Sequence, residues 1–282
     1  MYELLTYSAR GVCIAVFTFI FGLLIGSFLN VLIYRIPLGK SIVFPPSSCP
    51  KCKHTIAWYE NIPVISWLFL RGKCSSCKNP ISPIYPTIEL ITALLFLFSF
   101  IVFGPTIEFL FILFFMASMV VISLIDIQTQ DVYLVTVIPL IVIAPIRAYF
   151  SQNISVMESL IGIVVGGGTL LFVIGVFYLI TKKIGMGFGD VYILAAAGGF
   201  AGALALPMIL LLASSTAIIV FFLFQMFGTK RIAKALTTDD IKSENEEDLN
   251  RAIYFGPFIA FAAILSLLLP MQQLFFSLYG IF

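Results

Sequence analysis

From Gly11 to Ile33 the chain carries no charged residue. That run is long enough to cross a bilayer, which takes about 20 apolar residues within a range of roughly 17–25. In hydrocarbon every backbone N–H and C=O must bond internally, and an α-helix does so within a single segment. The run therefore predicts a first transmembrane helix over 11–33. A cleaved signal peptide is not expected, because the run exceeds a typical apolar signal core and ends at Tyr34-Arg35 without a small-residue cleavage site.

The same rule predicts further spans over 88–107, 109–126, 132–150, 157–181, 191–206, 207–228 and 253–270. The split between 191–206 and 207–228 is placed at Pro207, and Pro270 interrupts the last segment. The expected fold is an all-α polytopic membrane protein of about eight transmembrane helices. Composition agrees: 61% of residues are hydrophobic and 11% charged, where a soluble domain carries about 25% charged residues. A net charge of +2 points to neither nucleic acid nor an acidic substrate as partner.

Residues 34–86 differ from everything around them: charges appear, prolines are frequent and no long apolar run occurs. With eight spans, loops 34–86, 127–131, 182–190 and 229–252 share one side, and 14 of the 16 Lys and Arg fall there, leaving Arg10 and Arg147 on the other. Basic loops mark the cytoplasmic face. This orientation places residues 34–86 in the cytoplasm, as a small domain between the first and second helices, with both termini outside. The acidic stretch 237–250 is expected to be a solvated loop.

The cytoplasmic segment contains Cys49-Pro50-Lys51-Cys52 and Cys74-Ser75-Ser76-Cys77, with 21 residues between the pairs. So short a domain lacks an adequate core of its own without a staple. Cys49, Cys52, Cys74 and Cys77 around one tetrahedral Zn²⁺ would supply it; disulfides and free thiols are the alternatives. A reducing compartment favours zinc. Lys51, Lys53, Lys73 and Lys78 flank the sulfurs and offset the charge of a tetrathiolate. Cys13, inside the first span, is expected to be an inert apolar filler.

The costliest residues are two carboxylates beside apolar runs. Asp190 follows Gly185-Met186-Gly187-Phe188-Gly189 and precedes an uncharged run. Asp126 ends the run Phe109–Ile125. On the predicted topology both lie at the cytoplasmic side, at the same depth. An intramembrane acid is a functional candidate by default. Two carboxylates brought within a few ångströms share one proton, so that one can take a proton from water while the other polarises a peptide carbonyl. Taken singly, Asp190 also suits a helix N-cap. The only histidine, His54, lies in the cysteine segment, which excludes a Ser-His-Asp arrangement in the membrane. Gly187 and Gly189 would let a substrate backbone approach the pair. Asn30, one turn beyond Gly26, is a further candidate substrate contact, with helix packing through Gly22, Gly26 and Ser27 as the plainer alternative. A carrier that relays protons through the aspartates is the competing class of function.

An ordered set of motifs carries a resemblance through nearly the whole chain. It runs through Gly26-Ser27-Phe28-Leu29-Asn30-Val31 with Arg35 and Pro37, then both Cys-x-x-Cys pairs with Trp58-Tyr59-Glu60-Asn61-Ile62-Pro63-Val64-Ile65-Ser66-Trp67 between them. It continues through Gly72-Lys73-Cys74, Tyr85-Pro86 with Glu89, Leu124-Ile125-Asp126, Gly185–Asp190 and Phe255-Gly256-Pro257. The chain resembles the bacterial type IV prepilin leader peptidases, and its Gly-x-Gly-Asp element is similar to that of presenilin-type intramembrane aspartyl proteases. The chain departs from the family pattern at Tyr133-Leu134, Tyr192 and Ile84, and both aspartates remain.

The resemblance implies cleavage of the leader of prepilins or pseudopilins at the cytoplasmic face of the bacterial inner membrane. Asp126 and Asp190 would be catalytic. It also implies N-methylation of the new terminus with S-adenosylmethionine by the cysteine domain. Glu60, Lys73, Lys78 and Glu89, chosen for their nearness to that domain, are the candidate cofactor contacts. The expected division is then a first helix over 1–33, a cysteine domain over 34–86 and a transmembrane peptidase domain over 87–282.

Overall fold

The structure, a computed structural model, describes residues 9–183, 187–227 and 255–269. Among the described residues the helices are α1 (Ala9–Arg35), α2 (Ile65–Phe69), α3 (Ile84–Phe103), α4 (Ile107–Thr129), α5 (Leu134–Phe150), α6 (Val156–Thr181), α7 (Phe188–Ala201), α8 (Leu206–Phe227) and α9 (Gly256–Leu268). A single 3-10 turn at Trp58–Asn61 precedes α2, and another at Ala203–Ala205 precedes α8. No strand forms among the described residues; two isolated bridges pair Ser48 with Thr55 and Lys73 with Pro80.

Each predicted span has a helix in its place. Five are long and apolar enough to cross a membrane: Arg10–Arg35, Ile84–Phe103, Ile107–Thr129, Val156–Thr181 and Ala203–Leu223. Leu134–Phe150, Phe188–Ala201 and Gly256–Leu268 are apolar but shorter. The 237–250 loop and the segment after Pro270 lie outside the described residues. One boundary moves. The break after α7 falls at Gly202, whose φ of 85° few other residues adopt. Pro207 sits in the first turn of α8, where its missing N–H costs nothing.

The chain forms two compact units, meeting in sequence at Val121 and Ile122 within α4. In the first, α1 and α3 pack antiparallel in a fixed register. A Cβ at Gly22 would stand 2.6 Å from Ala93 Cα, and one at Gly26 would stand 2.6 Å from Glu89 Cα. One turn further, the Asn30 side-chain amide donates to the Tyr85 carbonyl at 3.2 Å. Each step of four residues along α1 meets a step of four back along α3. Small residues at this spacing let two helix backbones approach, as membrane helix pairs require. Cys13 is exposed on α1 rather than filling its packed face.

In the second unit α7 is the central helix. Val191 and every residue from Ile193 to Phe200 are buried, as expected for a helix apolar all round. Its Ala195-Ala196-Ala197-Gly198-Gly199 stretch gives it a narrow waist. Gly162 of α6 and Gly198 of α7 meet backbone to backbone, and a Cβ at Gly166 would stand 2.5 Å from the Leu194 carbonyl oxygen. Polar side chains finish the packing where α7 ends. The Ser159 hydroxyl donates to the Gly199 carbonyl at 2.7 Å, and the buried Arg147 guanidinium of α5 donates to that of Phe200.

Candidate active site

Asp126 lies in the last turn of α4, whose backbone closes with Gln130 N–H donating to the Asp126 carbonyl at 2.9 Å. Gln130 ends the helix in the left-handed conformation, at φ 61°. A carboxylate at a helix C-terminus faces the negative end of the dipole, an unfavourable place for it. Asp126 is nevertheless only 6% exposed. Asp190 is half-buried in the first turn of α7, where the dipole favours a negative charge. It does not cap that helix: Gly187 occupies the cap position, and no side chain bonds there.

Packing brings the two ends together. Asp126 lies within electrostatic reach of Asp190 and Asp131. A Cβ at Gly189, the residue before Asp190, would stand 2.5 Å from Val132 Cγ2, so the start of α7 rests on the loop that follows α4. The start of α9 closes a third side. A Cβ at Gly256 would stand 2.5 Å from Asp126 Oδ2 and 3.1 Å from Ile193 Cδ1, which lies one turn beyond Asp190. Two carboxylates thus share one end of a helix cluster walled by Ile193, Val132 and glycine backbone. Such a pair can supply a base and an acid to one substrate atom group.

The remaining candidates are arranged differently. Gly187 has φ −70° and its Cβ position is open, so nothing in the fold demands glycine there. Gly189 is helical and its missing side chain is required by Val132. Gly185 and Met186 lie outside the described residues. Asn30 is buried and bonded to Tyr85, which is the packing alternative. Gly256 is the site residue that spacing alone did not single out; its signal was the Phe255-Gly256-Pro257 motif, without any hint of its neighbour.

In the first unit the four predicted cysteine ligands meet. The Sγ atoms of Cys49, Cys52, Cys74 and Cys77 all lie within 4.8 Å of one another. Cys49 and Cys77 are 3.8 Å apart, and Cys52 and Cys74 4.0 Å. Tetrahedral zinc with Zn–S near 2.3 Å needs S···S edges of about 3.8 Å. The two turns repeat each other. Cys49 N–H donates to the His54 carbonyl at 2.9 Å, and Cys74 N–H to that of Asn79 at 2.8 Å. Lys53 and Lys78, one residue past each pair, are left-handed at φ 59° and 57°. The backbone N–H groups of His54 and Asn79 then face the sulfurs of Cys52 and Cys77. No disulfide joins these four cysteines, which alternate between buried and exposed, and the set fits a structural zinc ion.

The four candidate cofactor contacts do not assemble in the same way. The Ser75 hydroxyl, the Ala57 N–H and His54 hold the Glu60 carboxyl below the usual carboxylate range, with His54 Nε2 3.3 Å away. Glu89 is buried and accepts from Val64 N–H at 2.7 Å. Both acids are engaged within the protein, and Lys73 and Lys78 are exposed.

Comparison with known proteins covers both units. Residues 20–103 match the Bacterial Peptidase A24 N-terminal domain, and residues 113–222 match the Type IV leader peptidase family. The chain is 38% identical over 230 residues to the prepilin leader peptidase/N-methyltransferase of Myxococcus xanthus, covering 82% of this chain and 69% of that one. It is 38% identical over 207 residues to that of Klebsiella pneumoniae, covering 71% and 91%. With the Pseudomonas aeruginosa protein of the same name it shares 35% over 274 residues, 89% of each chain. No solved structure matches. Nothing in these relatives supports the carrier alternative. On two family matches in sequence order, and on relatives that align over most of its length, this chain belongs to the type IV leader peptidase family.

Proposed function

We propose that the protein cleaves the leader peptide from prepilins or pseudopilins through Asp126 and Asp190, and methylates the amino terminus that cleavage exposes. The observation that carries the peptidase reading is the meeting of the α4 C-terminus and the α7 N-terminus, which brings two carboxylates from different helices to one place. Family membership supports both activities, since the relatives are named for both.

The chemistry needs no nucleophilic side chain. One carboxylate, ionised, takes a proton from water as the water oxygen bonds to the scissile carbonyl carbon. The other, in its acid form, gives a hydrogen bond and then a proton to the carbonyl oxygen. Collapse of the tetrahedral adduct breaks the C–N bond: the proton held by the first carboxylate goes to the leaving amine, while one adduct hydroxyl returns its proton to the second carboxylate as the new C=O forms, which restores the pair. The apolar side chains of Val132 and Ile193 beside the pair lower the local polarity and strengthen each of these interactions. The apolar helix behind a prepilin leader suits lateral docking beside these helices, with the scissile bond at the membrane surface.

Cys49, Cys52, Cys74 and Cys77 would hold zinc, which closes the two turns into one small fold. S-adenosylmethionine is the methyl donor that the second activity calls for. Glu60, Lys73, Lys78 and Glu89 are the contacts proposed for it from their nearness to the cysteine pairs. The basic loops favour an inner membrane with the cysteine domain and both aspartates on the cytoplasmic side. The domain division remains the one drawn from sequence, with residues 34–86 serving methylation and residues 87–282 serving cleavage.

The test is incubation of the full chain in proteoliposomes with a prepilin and labelled S-adenosylmethionine, followed by mass analysis of the pilin amino terminus. Loss of the leader and gain of one labelled methyl group is the expected result. An intact leader would overturn the reading.

A further inference from the structure

Between Glu60 and Arg71 the cysteine segment contains a run, Ile62–Leu70, with no charged residue. Half of its apolar side chains are exposed, Ile62 among them: Ile65 is 49% exposed, Leu68 61% and Phe69 85%. A small extramembrane domain that needs a staple has little reason to leave three large apolar groups in water, since burial of such side chains is favourable. The run is not free to choose its depth. Val64 N–H donates to the Glu89 carboxylate. Val64 has φ 59°, an uncommon conformation for a β-branched residue, so the contact holds the run where its own preferences would not.

Glu89 fixes that depth. It lies in the second turn of α3 and packs opposite Gly26 of α1. The α1 span runs from Arg10 to Arg35, and at 1.5 Å per residue is about 39 Å long. Centred on a hydrocarbon core about 30 Å thick, it overhangs by about 5 Å at each end. Gly26 stands nine residues, or about 13 Å, in from Arg35. The Glu89 Cα therefore lies about 8 Å inside the hydrocarbon boundary, and its side chain, tilted back toward the start of α3, holds Val64 between that depth and the boundary.

We infer that Ile62–Leu70 is a lipid-inserted foot. The segment dips into the acyl region beside α1 and α3, pinned by Glu89, and Ile65, Leu68 and Phe69 contact lipid tails. The Ser66 hydroxyl has the Tyr59 carbonyl at 3.0 Å and the Ile62 carbonyl at 2.8 Å within reach of its one proton, and Ile62 already accepts from Ser66 N–H. Donation to Tyr59 satisfies a backbone group that lipid cannot, as irregular backbone at this depth requires. Trp58 and Tyr59, at the start of the segment, are exposed aromatic residues of the kind that settle at headgroup level. The foot holds the cysteine domain against the membrane surface. This inference rests on α1 and α3 crossing the membrane, and is independent of which residues cleave.

The test places a tryptophan at the tip. The full chain carrying Phe69→Trp and Trp58→Phe is reconstituted in nanodiscs of phosphatidylcholine brominated high on the acyl chains. Trp58→Phe alone gives the background from Trp67. The account predicts that the added emission falls at least two-fold against unbrominated lipid and is insensitive to aqueous iodide. Phe17→Trp, at a position 69% exposed on α1 and about 6 Å inside the opposite hydrocarbon boundary, serves as control and is quenched by the same bromines. Iodide quenching at position 69 without bromine quenching overturns the foot. Iodide quenching that disappears when prepilin is added overturns it in favour of a peptide occupant. Failure of the Phe17→Trp control would instead strike at the crossing of α1.

Discussion

The first residue of α9, Gly256, backs directly onto the carboxylate of Asp126. A single added carbon at position 256 would stand 2.5 Å from Asp126 Oδ2. Glycine here is a spacer that sets where the carboxylate can lie. Gly256→Ala is expected to displace Asp126 by a fraction of an ångström to an ångström. A displacement of that size costs about 100-fold in rate, with little change in melting temperature. Prepilin cleavage rates beside a thermal melt would check this, and an unimpaired Gly256→Ala enzyme would show that the spacing does not matter.

Gly189 makes a different demand. Its missing side chain is filled by Val132, with Cγ2 at 2.5 Å and Cβ at 2.6 Å from the position a Cβ would take. Gly189→Ala overpacks this junction and is expected to cost about 1–3 kcal/mol, while moving Asp190 away from Asp126. Shortening the neighbour restores room, so Val132→Ala combined with Gly189→Ala should recover most of the stability and part of the rate. A double-mutant cycle on Tm reads the coupling; strictly additive losses would contradict the contact.

The cysteine turns predict a metal content. The purified chain should hold about one zinc ion, and a variant with Cys49→Ser and Cys74→Ser should hold none. Because zinc closes a domain with little core, its removal by a chelator should expose the two cysteine turns, around residues 47–56 and 72–81, to proteolysis and leave the helix pairs intact. Elemental analysis and limited proteolysis check the two halves of this prediction. Equal zinc in both proteins would refute the site.

Much of this was legible in the sequence, for reasons that can be named. Long uncharged runs marked the helices because lipid leaves a backbone few other choices. The Cys-x-x-Cys pairs announced their meeting because four thiols in so short a segment have few other uses. The two aspartates stood out because a carboxylate beside an apolar run is costly. What was not legible depended on three-dimensional contact. Gly189 looked like an opening for substrate and is filled by Val132. Asn30 looked like a candidate contact and ties α1 to α3. The bond from Val64 N–H to Glu89 joins residues 25 apart, and no spacing announces it. The break assigned to Pro207 belongs to Gly202, since a proline starts a helix as readily as it ends one. Gly256 lies far along the chain from Asp126, and no periodicity links them.

The central claim is that Asp126 and Asp190 together perform the cleavage, and one measurement addresses it most directly. Asp126→Asn and Asp190→Asn each keep the shape of the side chain and remove its acid–base chemistry. Each variant, reconstituted in proteoliposomes and matched to the unaltered enzyme in melting temperature, is incubated with a prepilin whose leader is then followed by mass. The account predicts that each substitution alone lowers the cleavage rate about 1,000-fold or more, and that the double variant is scarcely worse than either, since the two groups act as a unit. Cleavage at the unaltered rate by either single variant would contradict it.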